Sequence, residues 1–204
     1  MPHSHLVKLV TRLPELETCR ASISDAYDAL QGCIKSGGKI LLCGNGGSAS
    51  DADHWAGELL KGFAKKRPLS AQDRAHLPSY IAENLQGAIP AIPLTTFPAL
   101  SSAFCNDVAP DLVFAQLTAG LGRPGDVLVA LSTSGNARNV GYAVQTARAR
   151  GLRTIGLTGE TGGRLVELCE ICIRVPSQET YRIQEYHLPI YHCLSLMLED
   201  AFFG

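Results

Sequence analysis

Several signatures are missing from this sequence, and each absence narrows what the chain does. Neither sign of charge dominates: 18 Lys and Arg face 19 Asp and Glu, for a formal charge of −1. A protein that grips nucleic acid through phosphate contacts carries a basic excess, so direct nucleic-acid binding is not expected. No unbroken apolar run approaches the roughly 18 residues of a membrane-spanning helix. The first residues, MPHSHLVKLVTRLPELE, interleave charge with apolar positions and lack the apolar stretch of a secretion signal. No Gly-Lys-Ser/Thr follows a glycine-rich turn and no GxGxxG occurs, which disfavours nucleotide binding. Cysteine is scattered and odd in number, seven in all, at 19, 33, 43, 105, 169, 172 and 193. That is no disulfide framework, and reduced thiols in the cytoplasm are the expectation.

What is present is a chain that folds. Hydrophobic residues make up 46% of 204 and charged ones 18%, enough for a sizeable core in a single domain. Residues 1–38 read as an N-terminal helical segment, with Leu6, Val10, Leu13, Leu16, Ile23, Ala26, Tyr27, Leu30 and Ile34 near a 3.6 period. Pro14 should kink or restart it, and Ser36-Gly37-Gly38 should end it. Strands are expected at 39–43, 91–95, 126–131, 154–157 and 171–175. Helices are expected at 49–60, 137–150, 165–168 and from about Thr180 to Phe202, the last weakened at Pro189. This alternation predicts an α/β fold with a mostly parallel sheet. Residues 67–87, polar and with two prolines, break it as a long loop or insertion that serves as a lid, a subunit contact or a plain surface excursion.

Two polar turns carry the first chemical signal. Gly44-Asn45-Gly46-Gly47-Ser48 and Ser132-Thr133-Ser134-Gly135-Asn136 each follow an apolar strand and open a helix. Backbone N–H groups at a helix N-terminus, with small hydroxyl side chains beside them, make an anion site. The alternative is that Ser and Asn only cap the two helices. Two such turns at the C-terminal ends of parallel strands open into one crevice, which favours a phosphate or phosphosugar site.

His54 and Glu58 stand at i, i+4 on the helix that the first turn opens, so imidazole and carboxylate share a face. That suits a metal ion or a proton-transfer pair, and equally a solvated surface pair. The C-terminal helix adds Gln184 and, two turns on, His192, among Ile183, Leu188, Ile190 and Leu194. His187 lies on the same helix, and a lone histidine on so greasy a face, His192 included, reads most often as a satisfied core histidine. Cys169-x2-Cys172 has no second pair and reads as packing, His3 and His5 as part of a frayed end, and Lys65-Lys66-Arg67 as a solvated face.

The ordered set GNGGS, Asp51, His54-x3-Glu58, Asn106-Asp107, STSGN, Leu157-Thr158-Gly159 and Arg182-Ile183-Gln184-Glu185 with His192 resembles the sugar isomerase (SIS) domain. Within that superfamily it is most similar to the phosphoheptose isomerases, over essentially the whole chain. The resemblance implies a five-stranded sheet flanked by helices, a homotetramer with active sites between subunits, and one Zn²⁺ per subunit. It implies interconversion of sedoheptulose 7-phosphate and a heptose 7-phosphate on the way to surface heptoses. On its pattern Ser132, Thr133 and Ser134 grip the phosphate, Asn45, Gly46, Gly47 and Ser48 form one substrate loop, and Asn106 and Asp107 a second. His54, Glu58, Gln184 and His192 match the metal cage, with Gln184 also at the substrate and Glu58 and His192 as the acid/base pair. Two positions depart from the pattern: Ala137 replaces a phosphate-binding serine, and Tyr181 stands where an aspartate is usual. A non-catalytic SIS protein, a phosphosugar sensor or a replication-initiator-binding adaptor, is the competing expectation; retention of all four cage residues favours catalysis.

Overall fold

In the computed structural model, which describes residues 3–204, five short strands form one sheet. They are β1 (Ile40–Cys43), β2 (Ala91–Pro93), β3 (Val127–Leu131), β4 (Arg153–Thr158) and β5 (Ile171–Arg174). Their order is β2-β1-β3-β4-β5 and every neighbouring pair is parallel. The register sets Leu42 beside Pro93 on one side and Val129 on the other. Strands buried on both faces need apolar side chains at every position, and Ile40-Leu41-Leu42-Cys43 and Val127-Leu128-Val129-Ala130-Leu131 supply them.

The strand period of two then divides these side chains between two cores. Ile40, Leu42, Val127, Val129, Leu131, Ile155 and Leu157 face α1 (His3–Arg12), α2 (Arg20–Lys35), α3 (Gly47–Leu60) and the C-terminal helix α10 (Thr180–Phe203). Leu41, Cys43, Leu128 and Ala130 face α7 (Val113–Leu121), α8 (Arg138–Ala149) and α9 (Leu165–Leu168). Cys169 packs into this second core. No helix of the described residues is long and apolar enough to cross a membrane.

The expected breaks fall where the backbone chemistry puts them. Pro14 opens a 3-10 turn over Pro14–Cys19 between α1 and α2, and α2 ends on Ser36 before Gly37 at φ +80°. Pro189 does not break α10; the helix runs through it, giving up only the N–H that proline lacks. The span 98–121, unassigned from sequence, forms α6 (Pro98–Asp107), a 3-10 turn and α7.

Two sequence readings are corrected. Arg67 is not on a solvated face: it is fully buried, and its Nε donates to Glu199 Oε1 at 2.7 Å. The N-terminal end is helical from His3, with His5 bound to Asp200 at 2.9 Å and the His3 ring edge-on to Tyr27. The 67–87 stretch holds two short helices, α4 (Ala71–Arg74) and α5 (Ser79–Asn84). Its base is closed by the Gly87 N–H donating to the Arg67 carbonyl at 2.6 Å and the Gly62 N–H to Gln86 at 2.7 Å.

Candidate active site

The sheet order reverses direction between β1 and β3, and a crevice opens there at the carboxyl ends of the strands. Both polar turns lie in it. Asn45, Gly46, Gly47 and Ser48 after β1, with Leu131 at the end of β3 and Ser132, Thr133, Ser134 and Ala137 beyond it, line a cleft of about 350 Å³ that Thr180 and Gln184 close from α10. Gly46 sits at φ +55°, ψ −122°, a region closed to side-chain-bearing residues, so the turn needs glycine there. A Cβ on Gly47 would meet the Gln184 amide, whose Cδ is 2.7 Å from that point. Absence of a side chain at 47 is what lets the first turn and Gln184 share the cleft.

The second turn opens α8. No hydrogen bond among the described residues engages the Ser132 or Thr133 hydroxyl or the Thr133 or Ser134 N–H, while the Ser134 hydroxyl accepts from the Asn136 N–H at 3.2 Å. These free donors lie in the turn just ahead of α8, near the positive end of its dipole, where an anion is favoured. The two turns are tied by a reciprocal amide pair: Asn45 donates to Asn139 at 2.9 Å and Asn139 to Asn45 at 2.8 Å. Asn139 escaped sequence reasoning, although its place one helical turn beyond STSGN points it toward the first turn.

Helices α3 and α10 run side by side away from this cleft. Gly47 meets Gln184 at the near end, and the His54 ring meets Tyr191 and His192 two turns on. His54 Nε2 lies 3.1 Å from Glu58 Oε1, and the His54 and His192 rings stand nearly perpendicular with centroids 5.2 Å apart. Glu58 Oε2 and His192 Nε2 are both buried without a hydrogen-bond partner, with Lys61 Nζ 3.6 Å from the former, so each has room for a further polar partner. Burial, reinforced by the neighbouring His54 and by Arg12 against the opposing pull of Glu58, holds the His192 imidazole below its ordinary basicity. Beyond His192 a cavity of about 290 Å³ is lined by Lys8, Arg12 and Phe63.

Three of the four cage residues thus converge, and Gln184 turns its amide to the Gly47 end instead. Among the described residues no three of His, Cys, Asp and Glu stand ready around one point for a metal. Asn106 and Asp107 end α6, where Asn106 donates to Asp107 at 2.8 Å; neither lines the cleft. Tyr181 is exposed and donates to Glu179 rather than entering the cleft. His187 is wholly buried, with Nε2 3.4 Å from the Thr158 carbonyl. Sequence reasoning gave no role to Tyr191 or Asp51, whose hydroxyl and carboxylate adjoin His54. The spacing Asp51-x2-His54-x3-Glu58 was the available signal, since i, i+3 and i+7 share a helix face.

Comparison with known proteins agrees with this geometry. SIS domain models match residues 6–86 and 99–198. The phosphoheptose isomerase of Rhodospirillum rubrum is 41% identical over 91% of this chain and 89% of its own length. Among solved structures, phosphoheptose isomerase from Neisseria gonorrhoeae superposes with a TM-score of 0.73 at 33% identity, covering 94% of each chain. That from Francisella tularensis gives 0.76 at 29% identity over 97% of this chain and 96% of its own. The shared fold, the cleft between the two polar turns and identity sustained across both halves lead to one assignment: the chain belongs to the SIS-domain family of phosphoheptose isomerases.

Proposed function

We propose that this protein interconverts sedoheptulose 7-phosphate and D-glycero-D-manno-heptose 7-phosphate in the cytoplasm, with zinc, as a homotetramer supplying precursors for surface heptoses. The observation that carries the reading is the pairing of a donor-lined cleft with two buried, unsatisfied atoms, Glu58 Oε2 and His192 Nε2, on helices that leave that cleft together.

Ser132, Thr133 and Ser134 hold the phosphate with hydroxyls and N–H groups at the start of α8. Ala137 lines the same cleft and offers no hydroxyl, so the grip rests on the three residues before it. The turn Asn45–Ser48 and the Gln184 amide bind the sugar hydroxyls. Asn106 and Asp107, outside this cleft, reach substrate across a subunit boundary in the tetramer. Ketose–aldose exchange moves one proton between C1 and C2 and another between their oxygens, by way of an enediol. Glu58 and His192 are the pair for these transfers: the Glu58 carboxylate takes the proton from one carbon and returns it to the other, and the His192 imidazole, held below its ordinary basicity, takes the hydroxyl proton at Nε2 and returns it to the neighbouring oxygen.

The donor types suit a zinc ion: two imidazoles and one carboxylate, whose atoms include Glu58 Oε2 and His192 Nε2, both without a hydrogen-bond partner. His54, Glu58 and His192, which converge, would hold it, and Gln184 would join them by turning its amide away from Gly47. When bound, zinc polarises the carbonyl and hydroxyl oxygens at the reacting carbons.

The test is turnover of sedoheptulose 7-phosphate by Glu58→Gln beside the unaltered protein. The substitution keeps shape and removes the base, so kcat should fall by about 10²-fold or more with Tm nearly unchanged. Turnover near the unaltered level would take the proton transfer away from Glu58.

A further inference from the structure

The two turns that line the cleft open helices on opposite faces of the sheet. α3 packs into the core it shares with α10, and α8 into the second core. Helix packing therefore does not hold the turns to each other beyond the last rung of the ladder, Cys43 beside Ala130. Among the described residues, the only hydrogen bonds between residues 45–48 and residues 132–149 are the two of the Asn45–Asn139 amide pair, at 2.9 and 2.8 Å.

The orientation of that pair is set by a third bond. The start of α8 leaves the Val140 N–H without an intrahelical acceptor, and it donates to Asn139 Oδ1 at 3.0 Å. A flipped Asn139 amide would set its NH₂ against this N–H, so Asn139 must offer Oδ1 to the Asn45 Nδ2 and its own Nδ2 to the Asn45 Oδ1. Two bonds then hold the Asn45 carboxamide in one plane. One N–H and one lone pair of that amide remain for a ligand, on a residue that lines the cleft. Beside it the Gly46 and Gly47 N–H groups have no partner among the described residues.

We propose that Asn139 is a positioning residue for the phosphosugar: acting through Asn45, it holds the turn after β1 at a fixed distance from the turn after β3, so that the donors of both close on one ligand. This role rests on the cleft being the phosphosugar site, and it needs neither the metal nor the proton transfers. A ligand that spans the two turns gains from their being held in place before it arrives, because it does not have to order them itself.

The experiment is a double-mutant cycle on the full chain with Asn45→Ala, Asn139→Ala and the two together. Titration calorimetry reads the Kd of sedoheptulose 7-phosphate and of inorganic phosphate, and turnover with Zn²⁺ supplied reads kcat. Asn139→Ala should raise the Kd of the sugar phosphate about 5- to 10-fold, the scale of one net hydrogen bond. In the Asn45→Ala background the same substitution should change that Kd by less than about twofold, because Asn139 then has nothing to act through. Inorganic phosphate, which needs only the turn after β3, should bind within about twofold of its unaltered affinity, and kcat should change as little, since Glu58 and His192 do not touch the pair. If Asn139→Ala fails to fold, Asn139→Ser reads the same cycle: it keeps a hydroxyl at the helix start and is too short to reach Asn45. Equal factors in both backgrounds, or a Kd indifferent to Asn139→Ala, overturn the proposal, as does an unaltered protein that binds no phosphosugar. Non-additive binding without turnover contradicts the reaction proposed above and still supports the role of Asn139.

Discussion

Glu199→Gln removes one charge from the interior and leaves its size intact. Glu199 is 1% exposed and Arg67 0%. The carboxylate accepts from the N–H groups of Phe63 and Ala64 at 2.9 Å, Lys65 at 3.1 Å and Arg67 Nε at 2.7 Å. Four donors on two oxygens leave no place for an amide NH₂, which would face N–H groups. The Arg67 guanidinium, bound also to the Leu59 and Glu58 carbonyls at 2.7 and 3.2 Å, would become a buried charge without its counter-ion. Breaking such a pair from one side costs about 3–5 kcal/mol. For a chain of this length that is a fall of roughly 6–20 °C in Tm. Urea unfolding at fixed protein concentration measures it directly. The double replacement Arg67→Met with Glu199→Leu should recover a large part of the loss, because both charges then leave together. A loss below about 1 kcal/mol for Glu199→Gln would refute the claim that this pair pins residues 61–67 and the end of α3.

Two further outcomes follow from other parts of the molecule. Burial lowers the His187 imidazole from 6.5 to about 4, so between those pH values the unfolded chain binds a proton that the folded one refuses. Stability should therefore fall as pH drops from about 6.5 to 4, by roughly 3 kcal/mol at 1.36 kcal/mol per pH unit, and His187→Leu should flatten the urea midpoint across that window; an equally steep profile in the variant would remove His187 as the cause. Replacing Ser132 and Ser134 together by Ala should raise KM for the phosphosugar at least tenfold with kcat changed less, and an unaltered KM would move the phosphate out of this cleft.

The parts of the fold legible in the sequence are those fixed by local rules. Ile40–Cys43 and Val127–Leu131 are apolar at every position and end in glycine-bearing turns, so their burial between helices and the crevice beyond them could be read directly. Pro14 and Gly37 marked real breaks for the same reason. What escaped depends on distant partners. Nothing around Lys65-Lys66-Arg67 announces a carboxylate 132 residues away, so the buried arginine passed for a surface charge. His5 looked frayed because Asp200, which holds it, is 195 residues on. In the candidate site, His54 and Glu58 were visible as an i, i+4 pair, yet their approach to His192 is set by the side-by-side packing of α3 and α10. The inward turn of Tyr191, adjacent to His192, follows from the same packing and has no local signature.

The most direct test of the account is turnover of sedoheptulose 7-phosphate by the purified full chain, stripped with a chelator and then supplied with stoichiometric Zn²⁺, with the aldose product read by NMR. The account predicts no conversion in the stripped protein and conversion to the heptose 7-phosphate once zinc is restored. Absence of conversion in folded, zinc-supplied protein that still binds the phosphosugar would contradict the proposed reaction, and equal conversion with and without zinc would contradict the metal's part in it.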